Sequence, residues 1–201
     1  MFCNNEDLFK CFWEKFKSLY ENEEELKRSL LQKGFLEKNA LLLSILCQNE
    51  KTFFFLFEQV FCKLFTIKEF AFEADKNREN LLHHLAKYGS VSMLNVALEK
   101  LKSELSPKDL QNFVILKNKD NENILHCASK NNDEKSVELL ANFIKNHFKK
   151  DVFERMLSDS MPLPLHSSIK FSHLKVFQLF YQLYRNNFID AQFFMFLHAK
   201  D

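Results

Sequence analysis

Glu122–Asn131 reads ENILHCASKN and sets one imidazole, His126, between an apolar Ile-Leu pair and a run of small residues. A helix normally buries hydrocarbon there. The same arrangement returns as ENLLHHLAKY at Glu79–Tyr88 and as PLPLHSSIKF at Pro162–Phe171, bringing His83, His126 and His166 into register 43 and 40 residues apart. Recurrence at such a spacing marks a structural unit before it marks an active site. A further copy precedes these: NALLLSILCQNEKTFFFLF (Asn39–Phe57) superposes on NLLHHLAKYGSVSMLNVAL (Asn80–Leu98), with Leu42 in the histidine's place.

A second landmark gives the same period. DLQNFVILKNKD (Asp109–Asp120) matches DAQFFMFLHAKD (Asp190–Asp201) 81 residues later, which is two units. In this register Phe70, Phe113, Phe153 and Phe194 are equivalent, and His198 stands at the place of Lys117 rather than as a further histidine of the series.

Within a unit the signals are helical. NNDEKSVELLANFIKNHF offers Asn132 as N-cap and sets Val137, Leu140, Ala141, Ile144 and Phe148 on one buried stripe. SPKDLQNFVILK adds a shorter third helix, with Ser106 at the N-cap, Pro107 at its first position and Asp109 in its first turn. The polar connections near 34–39, 75–80, 117–123 and 158–163 are rich in turn formers. The reading is an all-α helical repeat domain over 1–201. It opens with N-terminal helices at 1–33, the outer one at roughly 7–20, and continues as a degenerate unit at 34–74 and units at 75–117, 118–157 and 158–201.

Composition removes several function classes. Twenty-eight Lys and Arg against 27 Asp and Glu leave a formal charge of +1, so no broad field attracts phosphate backbones or anionic membranes, and neither nucleic acid nor membrane is expected as a partner. Only two glycines occur, whereas dinucleotide fingerprints, Walker loops and nucleophile elbows need them clustered. Five cysteines without a Cys-x-x-Cys pair read as core thiols, not disulfides or a zinc site. The start lacks a basic, then apolar, secretory leader, and no apolar run reaches spanning length, so an intracellular, cytoplasmic protein is expected, with the nucleus or a host cytosol as alternatives.

NKDNENILHCASKNN (Asn118–Asn132), DKNRENLLHHLAKYG (Asp75–Gly89) and SDSMPLPLHSSIKFS (Ser158–Ser172) resemble ankyrin repeats, whose signature is Asp-x-x-Gly-x-Thr-Pro-Leu-His-x-Ala-Ala followed by an apolar outer helix. The unit is about 41 residues long instead of about 33, similar to arrays in insects and some intracellular bacteria. The resemblance implies that His83, His126 and His166 are structural, each buried and bonding to backbone of the adjoining connection. The hairpin glycine is replaced by Glu37, Arg78, Asn121 and Met161, which predicts looser loops than tight hairpins.

The resemblance also implies a non-enzymatic scaffold that binds another protein through its concave face and loop tips. The family's contact positions fall on Lys76, Asn77, Glu79, Lys87, Tyr88, Lys119, Asp120, Glu122, Lys130, Asn131, Asp159, Ser160, Pro162, Lys170 and Phe171, and in the degenerate unit on Phe35, Leu36, Lys38, Leu46 and Cys47. Tyr88 and Phe171 are the expected anchors. Alternatives are a structural or self-associating segment of a larger array, an inhibitor resembling ankyrin proteins that sequester transcription factors, or a host-directed effector. No catalytic, cofactor or metal residues are assigned. A site from His83, His84, His126 and Cys127 is set aside because equivalent residues of stacked helices lie about 10 Å apart. QFFMFL (Gln192–Leu197) predicts an apolar patch with Phe193, Phe194 or Phe196 exposed, suited to self-association.

Overall fold

The computed structural model describes residues 5–34, 38–159 and 162–197, and helices are its only regular elements there. Two helices come first, α1 (Asn5–Lys17) and α2 (Glu23–Leu31). Three-helix sets follow. The first holds α3 (Ala40–Leu46), a long helix made of α4 (Glu50–Phe54), a π-helical segment (Phe55–Phe61) and α5 (Cys62–Leu64), then α6 (Ile67–Ala71). The second holds α7 (Leu81–Tyr88), α8 (Val91–Glu104) and α9 (Pro107–Val114). The third holds α10 (Ile124–Ser129), α11 (Glu134–His147) and α12 (Lys150–Ser158), and the last α13 (Pro164–Lys170), α14 (Leu174–Asn187) and α15 (Asp190–Leu197).

Their order of packing follows their order in the chain. Helix α7 lies between α3 and α10, α10 reaches α13, and the longer helices meet as α4 with α8, α8 with α11 and α11 with α14. One apolar core therefore runs the length of the molecule, from Leu26 to Phe193. Its first part is built from phenylalanine: Phe53 and Phe57 stack at 5.3 Å between ring centroids, Phe61 and Phe65 at 5.4 Å, and Phe70 meets Phe61 edge-on at 5.4 Å. Such edge and offset contacts add to what burial of the rings supplies.

Local chemistry sets the helix starts. Asn39, Asn80 and Asn123 cap α3, α7 and α10 with their side-chain oxygens, while Ser106 caps α9 with Pro107 at its first position. For α11 the cap is Asp133, not Asn132, because the chain turns one residue later and Asp133 Oδ1 accepts the Lys135 amide at 3.1 Å. Val137, Leu140, Ala141 and Ile144 then line the buried face, with Phe148 half-buried at its end.

Two of the connections, at 75–79 and 118–122, are tighter than their missing glycines imply. Arg78 and Asn121 both take positive φ, 59° and 62°. In each turn the chain closes on itself: the Asp75 amide donates to Glu79 O at 3.0 Å, and the Asn118 amide to Glu122 O at 2.9 Å. Asp75 Oδ1 accepts the amides of Asn77 and Glu79, and Asn118 Oδ1 those of Asp120 and Glu122. Four side-chain bonds thus offset the left-handed strain, arginine included. Neither glycine has positive φ; Gly89 is small because a Cβ there would sit 2.7 Å from Leu85 O.

Candidate functional site

Two of the three signature histidines do the same thing. His83 and His126 occupy the third position of their helices and close a capping box on the asparagine before it. His83 Nδ1 lies 2.7 Å from Asn80 Oδ1, and His126 Nδ1 lies 2.9 Å from Asn123 Oδ1. Each asparagine oxygen also accepts two helix amides, and Asn123 Nδ2 donates to Met156 O at 2.7 Å. A leucine cannot complete that start, which answers why an imidazole stands there.

His83 is wholly buried, and burial pushes its pKa down to about 4, with nearby His84 acting the same way and Glu79 and the backbone of Leu116 and Glu122 opposing. His166 differs. Leu163 replaces the capping asparagine, Pro164 brings no N–H, and the half-buried ring keeps Nδ1 without a hydrogen-bond partner among the described residues. In the first set the asparagine remains without the histidine, and Asn39 Oδ1 accepts the Leu42 amide at 3.0 Å.

Beneath the loop tips runs a buried polar lane that sequence reasoning did not find. Lys38 Nζ bonds Asp75 Oδ2 at 2.5 Å and lies 3.2 Å from His84 Nε2, which is itself 3.2 Å from Asp75 Oδ2. Burial alone would raise the Asp75 carboxyl, but His84, Lys38 and the Glu79 amide outweigh it and hold the pKa well below the carboxylate range. At the next junction Glu79 pairs with Lys87 at 3.1 Å and Glu122 with Lys130 at 2.5 Å. Asn118 Nδ2 reaches Glu122 at 2.9 Å and Glu79 at 3.5 Å. Burial opposes ionisation of Glu122, yet Lys130 and Asn118 keep its pKa low. For Lys87 burial disfavours the charge, and Tyr88 with Glu79 more than restores it, so its pKa is raised.

The expected contact residues therefore divide. Lys76, Asn77, Lys119, Asp120, Asp159, Lys170 and Phe171 are exposed, and Lys87, Tyr88, Lys130, Asn131, Pro162 and Leu46 are half-buried. Cys47 is exposed. Glu79, Glu122 and Lys38 are buried inside the lane and present nothing to a partner in this conformation. Ser160, Phe35 and Leu36, like Glu37, Met161, Cys3 and His198, lie outside the described residues. Cys127 is buried, with its thiol pushed up by burial, but Cys11 and Cys47 are exposed, so the cysteines are not uniformly core thiols.

Two tips are joined directly, since the Lys119 amide donates to Asn77 O at 2.7 Å. Alongside them the Lys87 ammonium sits 5.0 Å from the Tyr88 ring centroid and that of Lys130 sits 6.0 Å from Phe171. The strip alternates cation and aromatic, each cation already answered by a carboxylate below.

No family model matches this chain, and no curated protein does.

Asp75, Glu79 and His84, and likewise Glu79, Glu122 and Cys127, bring potential metal ligands within 4.8 Å of one another. The first group carries the ammonium of Lys38 and the second those of Lys87 and Lys130, so each is already charge-neutralised by lysine. No helix among the described residues is long and apolar enough to cross a membrane.

Proposed function

We propose that the chain is an ankyrin-like repeat array that binds another protein along its loop tips and the adjacent strip of Tyr88, Lys130, Asn131, Lys170 and Phe171, and that it is not an enzyme. The observation that carries the reading is the pair of identically bonded turns at 75–79 and 118–122, linked by the Lys119–Asn77 bond. Turns held from within by Asp75 and Asn118 leave Lys76, Asn77, Lys119 and Asp120 turned to solvent on a rigid base. A pre-organised surface binds at lower entropic cost than a mobile one. The half-buried Tyr88 and the exposed Phe171 supply the amphipathic rings that dominate protein interfaces.

Proximity labelling in cells that express the protein, followed by capture with purified wild-type chain and the Tyr88→Ala/Phe171→Ala double variant, tests this. A bona fide partner is expected to lose at least tenfold in affinity for the double variant, about 1.4 kcal/mol or more. Undiminished capture of every partner by a folded double variant overturns the assignment of the strip.

A further inference from the structure

Arg78 holds a position that its side chain does not suit. At φ 59° it lies in the left-handed region, which asparagine enters readily and a long side chain does not, and the equivalent seat one set later is filled by Asn121 at φ 62°. Nothing in the turn needs a guanidinium. Asp75 Oδ1 and the backbone hold it, with the Arg78 amide donating to Asp75 O at 2.9 Å. The Arg78 side chain itself is exposed and takes no hydrogen bond or ion pair among the described residues. Backbone strain with no structural return gathers where a protein meets a ligand.

Its neighbours carry the same sign. Lys76 stands two residues before it, and the Lys119 amide bonds Asn77 O at 2.7 Å, so a third cation rises from the chain segment laid against the first two. Lys76 and Lys119 are exposed and, like Arg78, unpaired among the described residues. The carboxylates that these turns carry inward are already taken: Asp75 by Lys38, Glu79 by Lys87 and Glu122 by Lys130. Other surface lysines do have acids, Lys33 with Glu73 and Lys68 with Asp109. The two joined tips therefore present Lys76, Arg78 and Lys119 against a single exposed carboxylate, Asp120.

We infer that this pair of tips receives an acidic segment of a partner protein, with Arg78 taking one carboxylate in a bidentate bond and Lys76 and Lys119 taking its neighbours. The inference rests on the reading of the strip as a protein-binding surface, since Tyr88 and Phe171 meet the apolar residues of the same segment. The attraction is local, because the chain as a whole carries only +1. A peptide suits the surface better than a nucleic acid strand. Asp120 within the patch and Asp159 at the next connection interrupt it, and a backbone with a phosphate on every nucleotide meets them, whereas a peptide places its carboxylates singly.

The probe is a fluorescein-labelled peptide of Glu-Glu-Tyr repeats, followed by fluorescence anisotropy at about 150 mM salt, where exposed charges more than about 8 Å apart are largely screened. Wild-type chain is expected to bind it about tenfold or more tighter than the Gln-Gln-Tyr counterpart and to lose that margin at about 1 M salt. Lys76→Glu/Arg78→Glu/Lys119→Glu is expected to abolish the preference with helix content retained. Reversal of three exposed lysines on the longer helices, Lys102→Glu/Lys135→Glu/Lys175→Glu, is expected to leave it within about twofold. Arg78→Gly separates binding from structure: the thermal midpoint is expected to rise while affinity falls about threefold or more. The inference is overturned by a wild-type chain without the preference, by a preference that survives the tip reversal or is lost equally in the helix reversal, by an Arg78→Gly chain that binds as wild type does, or by tighter binding of an oligouridylate. Binding that needs the tip cations but not Tyr88 and Phe171 upholds the inference and removes the strip; binding that needs the rings but not the cations does the reverse.

Discussion

At the junction between residues 34–74 and 75–117 the buried seats hold Lys38, Asp75 and His84; at the next junction the same seats hold Glu79, Asn118 and Cys127. The upstream charge has changed sign and the downstream carboxylate has become an amide, yet both turns close with the same backbone bonds. What the two junctions share is the turn, with an Asx oxygen taking two amides. What differs is how charge is answered: by an ion pair across the first junction, and by Lys87 and Lys130, eight residues along the chain from Glu79 and Glu122, at the second. Turn geometry and charge balance are thus separate requirements met by separate atoms.

The sharpest way to break the comparison is to remove the downstream residue at each junction. Asp75→Leu strips two amides of their acceptor and leaves the Lys38 ammonium buried beside His84, so a loss of about 3–5 kcal/mol is expected in urea unfolding. Asn118→Leu strips two amides as well but orphans no cation, and about 1–3 kcal/mol is expected. Equal losses would mean that the ion pair at the first junction contributes nothing of its own. Adding Lys38→Met to Asp75→Leu is expected to recover part of the larger loss, because the orphaned charge is gone.

Acid titration sharpens the role of the histidine seat. The unfolded His83 titrates near 6.5 and the folded one near 4, so between these values only the unfolded chain takes up the proton and stability falls as pH drops. That window carries on the order of 3 kcal/mol. The carboxyls of Asp75 and Glu122, both held low in the fold, begin to lose their contribution as pH falls below their unfolded values of 3.8 and 4.5 and lose it fully only below their lower folded values. His83→Leu, the residue type found at Leu42, is expected to lower stability at pH 8 but to flatten its decline from pH 6.5 to 4. An unchanged slope there would remove the buried imidazole as its source.

The smallest effect tests the turns themselves. Arg78→Gly is expected to raise stability by up to about 1 kcal/mol, and Asn121→Gly by less, since asparagine already tolerates positive φ. A shift in thermal midpoint of the wrong order would show that the Asp75 bonds, not the residue at the left-handed position, decide the strain.

The helices were legible because their signals are local. Capping residues, the Pro107 start and the spacing of Val137, Leu140, Ala141 and Ile144 all act within a few turns, and each appears where the sequence places it, apart from the shift from Asn132 to Asp133. The all-helical class followed from these. The polar lane was illegible because the bonds that join one set to the next link residues 37 to 46 apart, as Lys38 with Asp75 and His84, and no local pattern announces that a loop lysine is buried. Glu79 passed for a surface position for the same reason, its contact with Asn118 lying 39 residues away. The regular turns were misjudged because the glycine rule weighs one residue, whereas the bonds that hold positive φ come from three positions upstream.

Because the first two junctions balance their charges in different ways, the sets that meet there are not interchangeable building blocks. Excising residues 75–117 from the gene would seat Lys38 opposite Asn118 and Cys127, where the nearest carboxylate, Glu122, already pairs with Lys130, and duplicating the same stretch would set Glu79 against a second Asp75. Loss or gain of one set is therefore expected to cost stability through mismatched charge at the new junction, even where the helical geometry would permit it.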